Sequence, residues 1–433
     1  MKKSEYIEKV LEQVRCKSVH EPLKRELEAH IDDQAEAFIS VGLPEAEAEE
    51  EAVKTMGDAA ETGVGLDAVH RPKFPLSAAL VALLLMAVGL AARTFVCRDF
   101  EYYSENSLYS AISIPLAIAA MAACYFMDYT VFTRFSKIAY SVFFCIVTGA
   151  VIIMRSKSVI LFVGIMLLTP FMCGFVWSMR GKGFRGFVIS CIVLVIPAAL
   201  LTLSIPCVSA AVLVGISALA IMTYAVKNNF FRVRKILAYI FMYIPAVTSA
   251  WLLWAIKFKN PLFFVDGSRN ENIRYGFTSY NGYWGFLSIL KDAHWFGSCI
   301  DINFNAHIPD PNGQLLIMAI IIRLGWAAGI AVALLLLALP IIILAKSAKI
   351  KNVFGRMTAF AIGIVFLFVT VGYILVNFGI TTGVASVCVT PFMTASPLNA
   401  VSSGALLGIF MSAYGKKDIF PEKAEDDRPR LAV

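Results

Sequence analysis

The chain has 433 residues, of which 58% are hydrophobic and only 16% charged, and its formal net charge is +7. This balance excludes an ordinary soluble globular protein and makes a polytopic membrane protein the first expectation. The charge is unevenly divided: residues 1 to 73 hold 10 Lys/Arg and 17 Asp/Glu, net −7, whereas the remainder holds 28 basic and 14 acidic residues, net +14.

Opposite balances predict two domains. No apolar h-region follows Met1, so residues 1 to 73 are expected to stay in the cytosol. In this region Ile7, Val10, Leu11 and Val14 mark one amphipathic helix face, and Leu23, Leu27, Ile31, Ala35 and Phe38 mark a second after Pro22. Gly42 is expected to end that helix. Pro44 fits the first turn of a third that Gly57 closes, and a fourth is predicted from Asp58 to Val69. The acidic EAEAEEEA stretch reads as a solvated helix face.

After HRPKFP, a window of about 20 apolar residues finds spans near 75–96, 108–127, 136–154, 158–179, 186–204, 206–226, 235–257, 314–345, 354–377 and 395–414. Arg134 and Lys137, RGKGFR at 180 to 185, Lys227 to Lys235, and Lys346 to Arg356 fall in alternate loops. These loops and both termini are therefore expected on the cytoplasmic side. Arg155 and Lys157 depart from the pattern in a very short loop. The nine cysteines show no spacing pattern, and free thiols are expected.

The expected fold class is all-α: about ten transmembrane helices preceded by a small soluble helical domain. The divisions are 1–73, 74–415 and a polar cytoplasmic tail at 416–433. A large outer loop, 258–313, is rich in aromatics, including Tyr280, Tyr283, Trp284, Trp295 and Phe296. It is read either as an interfacial aromatic belt or as a platform for a sugar or lipid. Next, IPDPNGQLLIMAIIIRLGW at 308 to 326 opens an apolar run to Lys346 that carries one arginine, Arg323. A charge inside hydrocarbon is costly and marks a function, a partner or a helix end. The run is too long for the bilayer, so this eighth helix is expected to project beyond it.

Asp310 has two readings. It could act as a carboxylate one turn before Gln314, or cap the helix with Pro311 at its first position. Asp301 and Asp292 are weaker carboxylate candidates. His294 and His307 lack metal-ligand spacing, and no metal site is predicted.

Three stretches in order resemble the SEDS family (shape, elongation, division and sporulation; FtsW, RodA and SpoVE). They are DYTVFTRFSKIAYSVFF at 128 to 144, NGYWGFLSILKDAHWFGS at 281 to 298, and NFGITTGVASVCVTPFMTASPLNAVSSGALLGIFMS at 377 to 412. The resemblance spans about residues 75 to 415. It implies a bacterial plasma-membrane, multi-pass glycosyltransferase that polymerises lipid-linked disaccharide into peptidoglycan beside a penicillin-binding-protein-like partner. In the family the stretch at 308 to 326 carries an aspartate taken as catalytic, and without gaps that position is Gln314; two family glutamates fall on Ile322 and Arg323. Cys207 stands where the family has another aspartate, and Ser396 and Pro397 replace paired glycines. Glutamine cannot titrate and is a weak neutral ligand.

The N-terminal stretch, with Glu26, His30, Asp33, Gly42, Ala48, Ala52 and Gly57 in matching spacing, resembles the HAAS or permease-prefix domain. That implies a regulatory or partner-binding module. Glu26 and His30 form an i, i+4 pair read as a structural contact.

Together these readings predict a membrane protein of cell-wall assembly, division or shape whose enzymatic centre has degenerated, acting by binding a lipid-linked glycan or a membrane partner. Gln314, Arg323, Tyr283, Trp284 and Trp295 would line its substrate site. The alternatives are an active, divergent glycosyltransferase using Asp310 and, third, a permease or flippase. No cofactor is predicted; a divalent cation is admitted only if the protein is enzymatically active. Membrane lipids are expected partners and nucleic acid is not.

Overall fold

A computed structural model describes residues 2–17, 20–70, 73–96, 103–153, 158–204, 208–259, 290–298, 315–380, 390–394 and 396–416. Among these residues the fold is all-α. The chain divides into two compact units: Met1–Phe74 with Ile350–Val353 and Tyr414–Val433, and Pro75–Lys349 with Phe354–Ala413.

The first unit is built from α1 (Lys3–Gln13), α2 (His20–Ser40), α3 (Glu45–Thr55) and α4 (Ala59–His70). Tyr6, Ile7, Val10, Leu27, Ile31, Ala52, Val53 and Ala59 form its core. Local chemistry places the helix ends. Asp58 Oδ1 accepts the N–H groups of Ala60 at 2.7 Å and Glu61 at 3.0 Å, capping α4. Gly42, at φ 103°, ends α2: the Leu43 N–H reaches the Phe38 carbonyl and the Gly42 N–H reaches that of Ile39, a Schellman pairing.

Two expectations need correction. The second helix begins at His20, before Pro22 rather than after it; proline is tolerated there because first-turn amides have no intrahelical partner. Pro44 is the N-cap of α3, not a residue of its first turn. Glu26 and His30 are both exposed on α2, and no hydrogen bond joins them.

The second unit contains α5 (Leu76–Ala91), a π turn (Ala92–Val96), α6 (Tyr103–Phe126), α7 (Val131–Arg134), α8 (Ser136–Ile153), α9 (Ser158–Ser178), α10 (Gly183–Ser204), α11 (Val208–Lys227) and α12 (Lys235–Lys259). Further along the chain come α13 (Leu316–Leu324), α14 (Trp326–Ser347), α15 (Val353–Asn377) and α16 (Pro397–Gly415). Helix occupies each of the ten predicted intervals. By length and composition four of these helices are apolar and long enough to cross a membrane: Leu76–Val96, Trp326–Ser347, Val353–Asn377 and Pro397–Gly415. Shorter apolar stretches lie in α6 and α8 to α12. This is an all-α membrane protein.

Hydrocarbon gives two apolar helices no reason to leave lipid for each other, so association rests on close packing and small residues. Helix α16 supplies them as Gly404 and Gly408 on one face. A Cβ on Gly404 would stand 2.3 Å from the Ala117 carbonyl oxygen of α6, and one on Gly408 only 2.4 Å from that of Met121. The backbones touch there. Gly215 of α11, by contrast, has open space where a Cβ would go.

Thermal unfolding of purified protein provides the comparison. Gly408→Ala should lower stability by about 1–3 kcal/mol, the range for overpacking. Gly215→Ala should be neutral or stabilising by up to ~1 kcal/mol, the helix-interior cost of glycine.

Candidate functional site

Gly325 interrupts what hydropathy reads as a single eighth span. Its φ of 96° and ψ of 169° lie where side-chain-bearing residues rarely go. A Cβ there would also stand 2.5 Å from the Trp295 carbonyl oxygen and 2.8 Å from the Phe296 Cα. The expected projecting helix is therefore two helices, the short α13 and the span α14. The N-cap of α13 is Leu315, and Asp310, with both of its readings, lies outside the described residues.

Every residue from Leu315 to Ile322 is buried. A buried helix needs partners for the backbone groups at its ends, and other segments provide them. The Met318 N–H donates to Asn377 Oδ1 at 3.0 Å, and Asn377 Nδ2 donates to the Tyr373 carbonyl at 2.9 Å. Asn377 is the last residue of α15. Gly379, at φ 81°, stops that helix: the Ile380 N–H bonds the Leu375 carbonyl at 2.8 Å and the Gly379 N–H that of Val376 at 3.0 Å.

At the opposite end of α13 the Leu324 carbonyl accepts the Gly297 N–H at 3.2 Å. The same segment closes the start of α14. The Trp326 N–H bonds the His294 carbonyl at 3.0 Å, and the Ala327 N–H that of Trp295 at 3.1 Å.

The π turn after α5 packs against α13, and such turns concentrate at functional sites. It presents Arg93, only 4% exposed, whose guanidinium donates to the Met393 carbonyl. Next to Met393, Phe392 has φ 63°, a conformation that costs a non-glycine residue on the order of 1–3 kcal/mol. Its ring stacks on Phe366, centroids 6.2 Å apart. Asn399 Nδ2 donates to the Thr390 carbonyl at 3.2 Å, and the Ser396 N–H donates to Thr394 Oγ1 at 3.0 Å. Thr390 Oγ1, Asn399 Oδ1 and Ser403 Oγ are buried with no hydrogen-bond partner among the described residues. Buried polar oxygens of this kind call for an explanation, and ligand contact is one.

The described segments offer hydrogen-bond donors and acceptors. Residues 92–96, 315–324, 373–380, 390–394 and 396–403 contain two arginines, amides and hydroxyls, but no Asp, Glu or His. A general base must be a titratable group within reach of the proton it takes. Among the described residues, no group of three or more His, Cys, Asp or Glu could hold a metal ion.

Of the expected site residues, Arg323 is half-buried in the last turn of α13, and Trp295, 67% exposed, has its backbone against Gly325. Gly325, which the Trp295 backbone abuts, follows Arg323 by two residues. Asp310, Gln314, Tyr283, Trp284, Asp301 and His307 lie outside the described residues. Asp292 and His294 are exposed, and His294 contributes a carbonyl rather than its ring. Sequence reasoning missed Asn377, Asn399 and Arg93. The available signals were an asparagine followed by Phe-Gly at the end of an apolar run, and a lone arginine in another.

A solved structure described as "Structural coordination of polymerization and crosslinking by a peptidoglycan synthase complex" contains a chain similar to this one. The match has a TM-score of 0.56 and covers 79% of this chain and 97% of that one, at 11% identity. The two share a fold. No protein-family model and no curated protein sequence matches the chain.

Replacing Asn377 tests the bridge between α13 and α15. Asn377→Ala should destabilise the protein by about 1–2 kcal/mol, the scale of a lost cap. Asn377→Asp, which keeps an acceptor for the Met318 N–H, should lose less. Thermal unfolding of the two variants beside wild type measures the difference.

Proposed function

We propose that this chain is a SEDS-like integral membrane protein of peptidoglycan assembly that binds a lipid-linked glycan and does not polymerise it. The observation that carries this reading is the fold shared with a chain of a peptidoglycan synthase complex, combined with Gln314 at the position where the resembling family has its aspartate. The polar site supports it. Arg93 and the buried oxygens of Thr390, Asn399 and Ser403 offer charge and hydrogen bonds to a polar headgroup, whereas the segments around them supply no carboxylate.

The protein works in the bacterial plasma membrane with both termini in the cytosol, as the alternation of basic loops supports. Its partner is a penicillin-binding-protein-like or other membrane protein. Residues 1 to 73 are the HAAS-like regulatory module that carries a cytosolic signal. The cell-division or cell-shape role follows from the family resemblance.

Purified protein is expected to bind lipid-linked disaccharide saturably, to lose at least tenfold in affinity on Arg93→Met, and to form no glycan polymer. Arg93→Lys, which keeps a charge, should recover part of the loss. Polymerisation by wild type that disappears on Asp310→Ala would establish the active enzyme instead. Absence of both binding and turnover would reject the glycan reading altogether.

A further inference from the structure

The chain passes between its two compact units at Phe74 to Pro75, Lys349 to Ile350, Val353 to Phe354 and Ala413 to Tyr414. Each crossing falls at the end of a helix. Helix α5 begins at Leu76, α14 ends at Ser347, α15 begins at Val353 and α16 ends at Gly415. Helices α6 to α13 lie wholly within the second unit.

The other ends of those same four helices carry the polar site. Arg93 follows α5 in the π turn, α14 starts at the Gly325 break, α15 finishes in Asn377, and Asn399 and Ser403 occupy the first turns of α16. At about 1.5 Å per residue, α15 with 25 residues and α16 with 19 set a crossing about 20–40 Å from the site.

The helices differ in stiffness. Proline interrupts α6, α9, α10, α12 and α14 at Pro115, Pro170, Pro197, Pro245 and Pro340. Helix α15 has none, and α16 has only Pro397 at its first position. Interior prolines remove a backbone bond and kink a helix, so α15 and α16 transmit a displacement most directly. Their ends in the first unit are held. The Lys73 N–H donates to the Gly415 carbonyl at 3.1 Å, tying the lead into α5 to the last residue of α16. Ile350, beside the start of α15, is fully buried, and Tyr414 is buried.

At the site one contact is placed to respond. Asn377 Oδ1 takes the Met318 N–H of α13, a helix buried from Leu315 to Ile322 and too short to hold itself. Moving the end of α15 away strips a buried amide of its acceptor. The bonded and released arrangements are therefore discrete rather than graded.

We propose that residues 1–73 control the polar site allosterically. A change within this module shifts α15 and α16 at their near ends, and the Asn377–Met318 bond is the contact that opens or closes. Coupling of this kind is reciprocal, so a change at the site also alters the module. The inference rests on the glycan-binding reading and names how that site is regulated, but the coupling itself is measured without glycan.

Hydrogen–deuterium exchange of the full chain in lipid nanodiscs, read by mass spectrometry, tests the route. Ile31→Ala opens a cavity in the core of the module. It should speed exchange in α2 and α3 and, at least threefold, in the peptide covering Leu315–Leu324, while leaving α11 unchanged. Asn377→Ala should show the reciprocal effect, faster exchange in α2 and α3 with α11 unchanged. Tyr140→Phe, which removes the 3.1 Å bond from α8 to the Val193 carbonyl of α10, should alter neither α13 nor the module. Ile31→Val, with its smaller cavity, should give the Ile31→Ala pattern at lower amplitude and serves where the larger truncation does not fold.

An opened module with unchanged exchange at Leu315–Leu324 would overturn the proposal. So would an equal rise in α11, which marks general loosening. Lipid-linked disaccharide is then titrated into wild type and Ile31→Ala. An affinity changed at least threefold supports both readings, and equal affinity despite coupled exchange overturns control of the site. Coupled exchange with no binding by either protein keeps the route and rejects the glycan.

Discussion

A helix that stops inside a buried region leaves backbone donors and acceptors that no solvent can reach, and the whole arrangement around α13 answers that constraint. Nine residues long, α13 is too short to hold itself together by propagation alone. Asn377 takes one of its first-turn amides, and the 294–297 segment accounts for its last carbonyl and for two amides of α14. Elements far apart in sequence are thereby fastened to one break. The glycine at that break is a steric requirement, since the same Trp295 carbonyl that accepts the Ala327 N–H stands where a Cβ would be.

Most of the fold was legible because hydropathy and local end signals are local physics. Apolar runs of bilayer length located helices in all ten intervals. Gly42 and Asp58 marked helix ends through backbone conformation and side-chain capping, which depend on only a few neighbouring residues. The break at Gly325 was not legible from hydropathy: Leu324, Gly325 and Trp326 are no more polar than their surroundings. Its cause is a close approach by a segment about thirty residues upstream, and no periodicity within the run reports that.

The candidate site was legible to a different degree. Arg323 stood out because charge in hydrocarbon is rare, and the structure places it in the last turn before the helix break at Gly325. Asn377 and Asn399 did not stand out, because an amide in an apolar run is unremarkable until its partners are known. Their importance lies in bonds to Met318 and Thr390, 59 and 9 residues away. Spacing within a motif can suggest the second kind of contact and says nothing about the first.

The physical separation of architecture from chemistry also explains why a family resemblance can coexist with missing carboxylates. The bonds that fasten α13 use an amide side chain, backbone carbonyls and a glycine, none of which titrates. The packing of α16 on α6 uses two glycines against carbonyl oxygens. Neither depends on the charge at position 314 or 323, so exchange of an acid for glutamine or arginine near this helix removes a proton acceptor without removing a support. Such a site keeps its shape and its capacity to hydrogen-bond a polar headgroup. On the proposed reading, what such an exchange removes is a group able to move a proton, which geometry alone cannot replace.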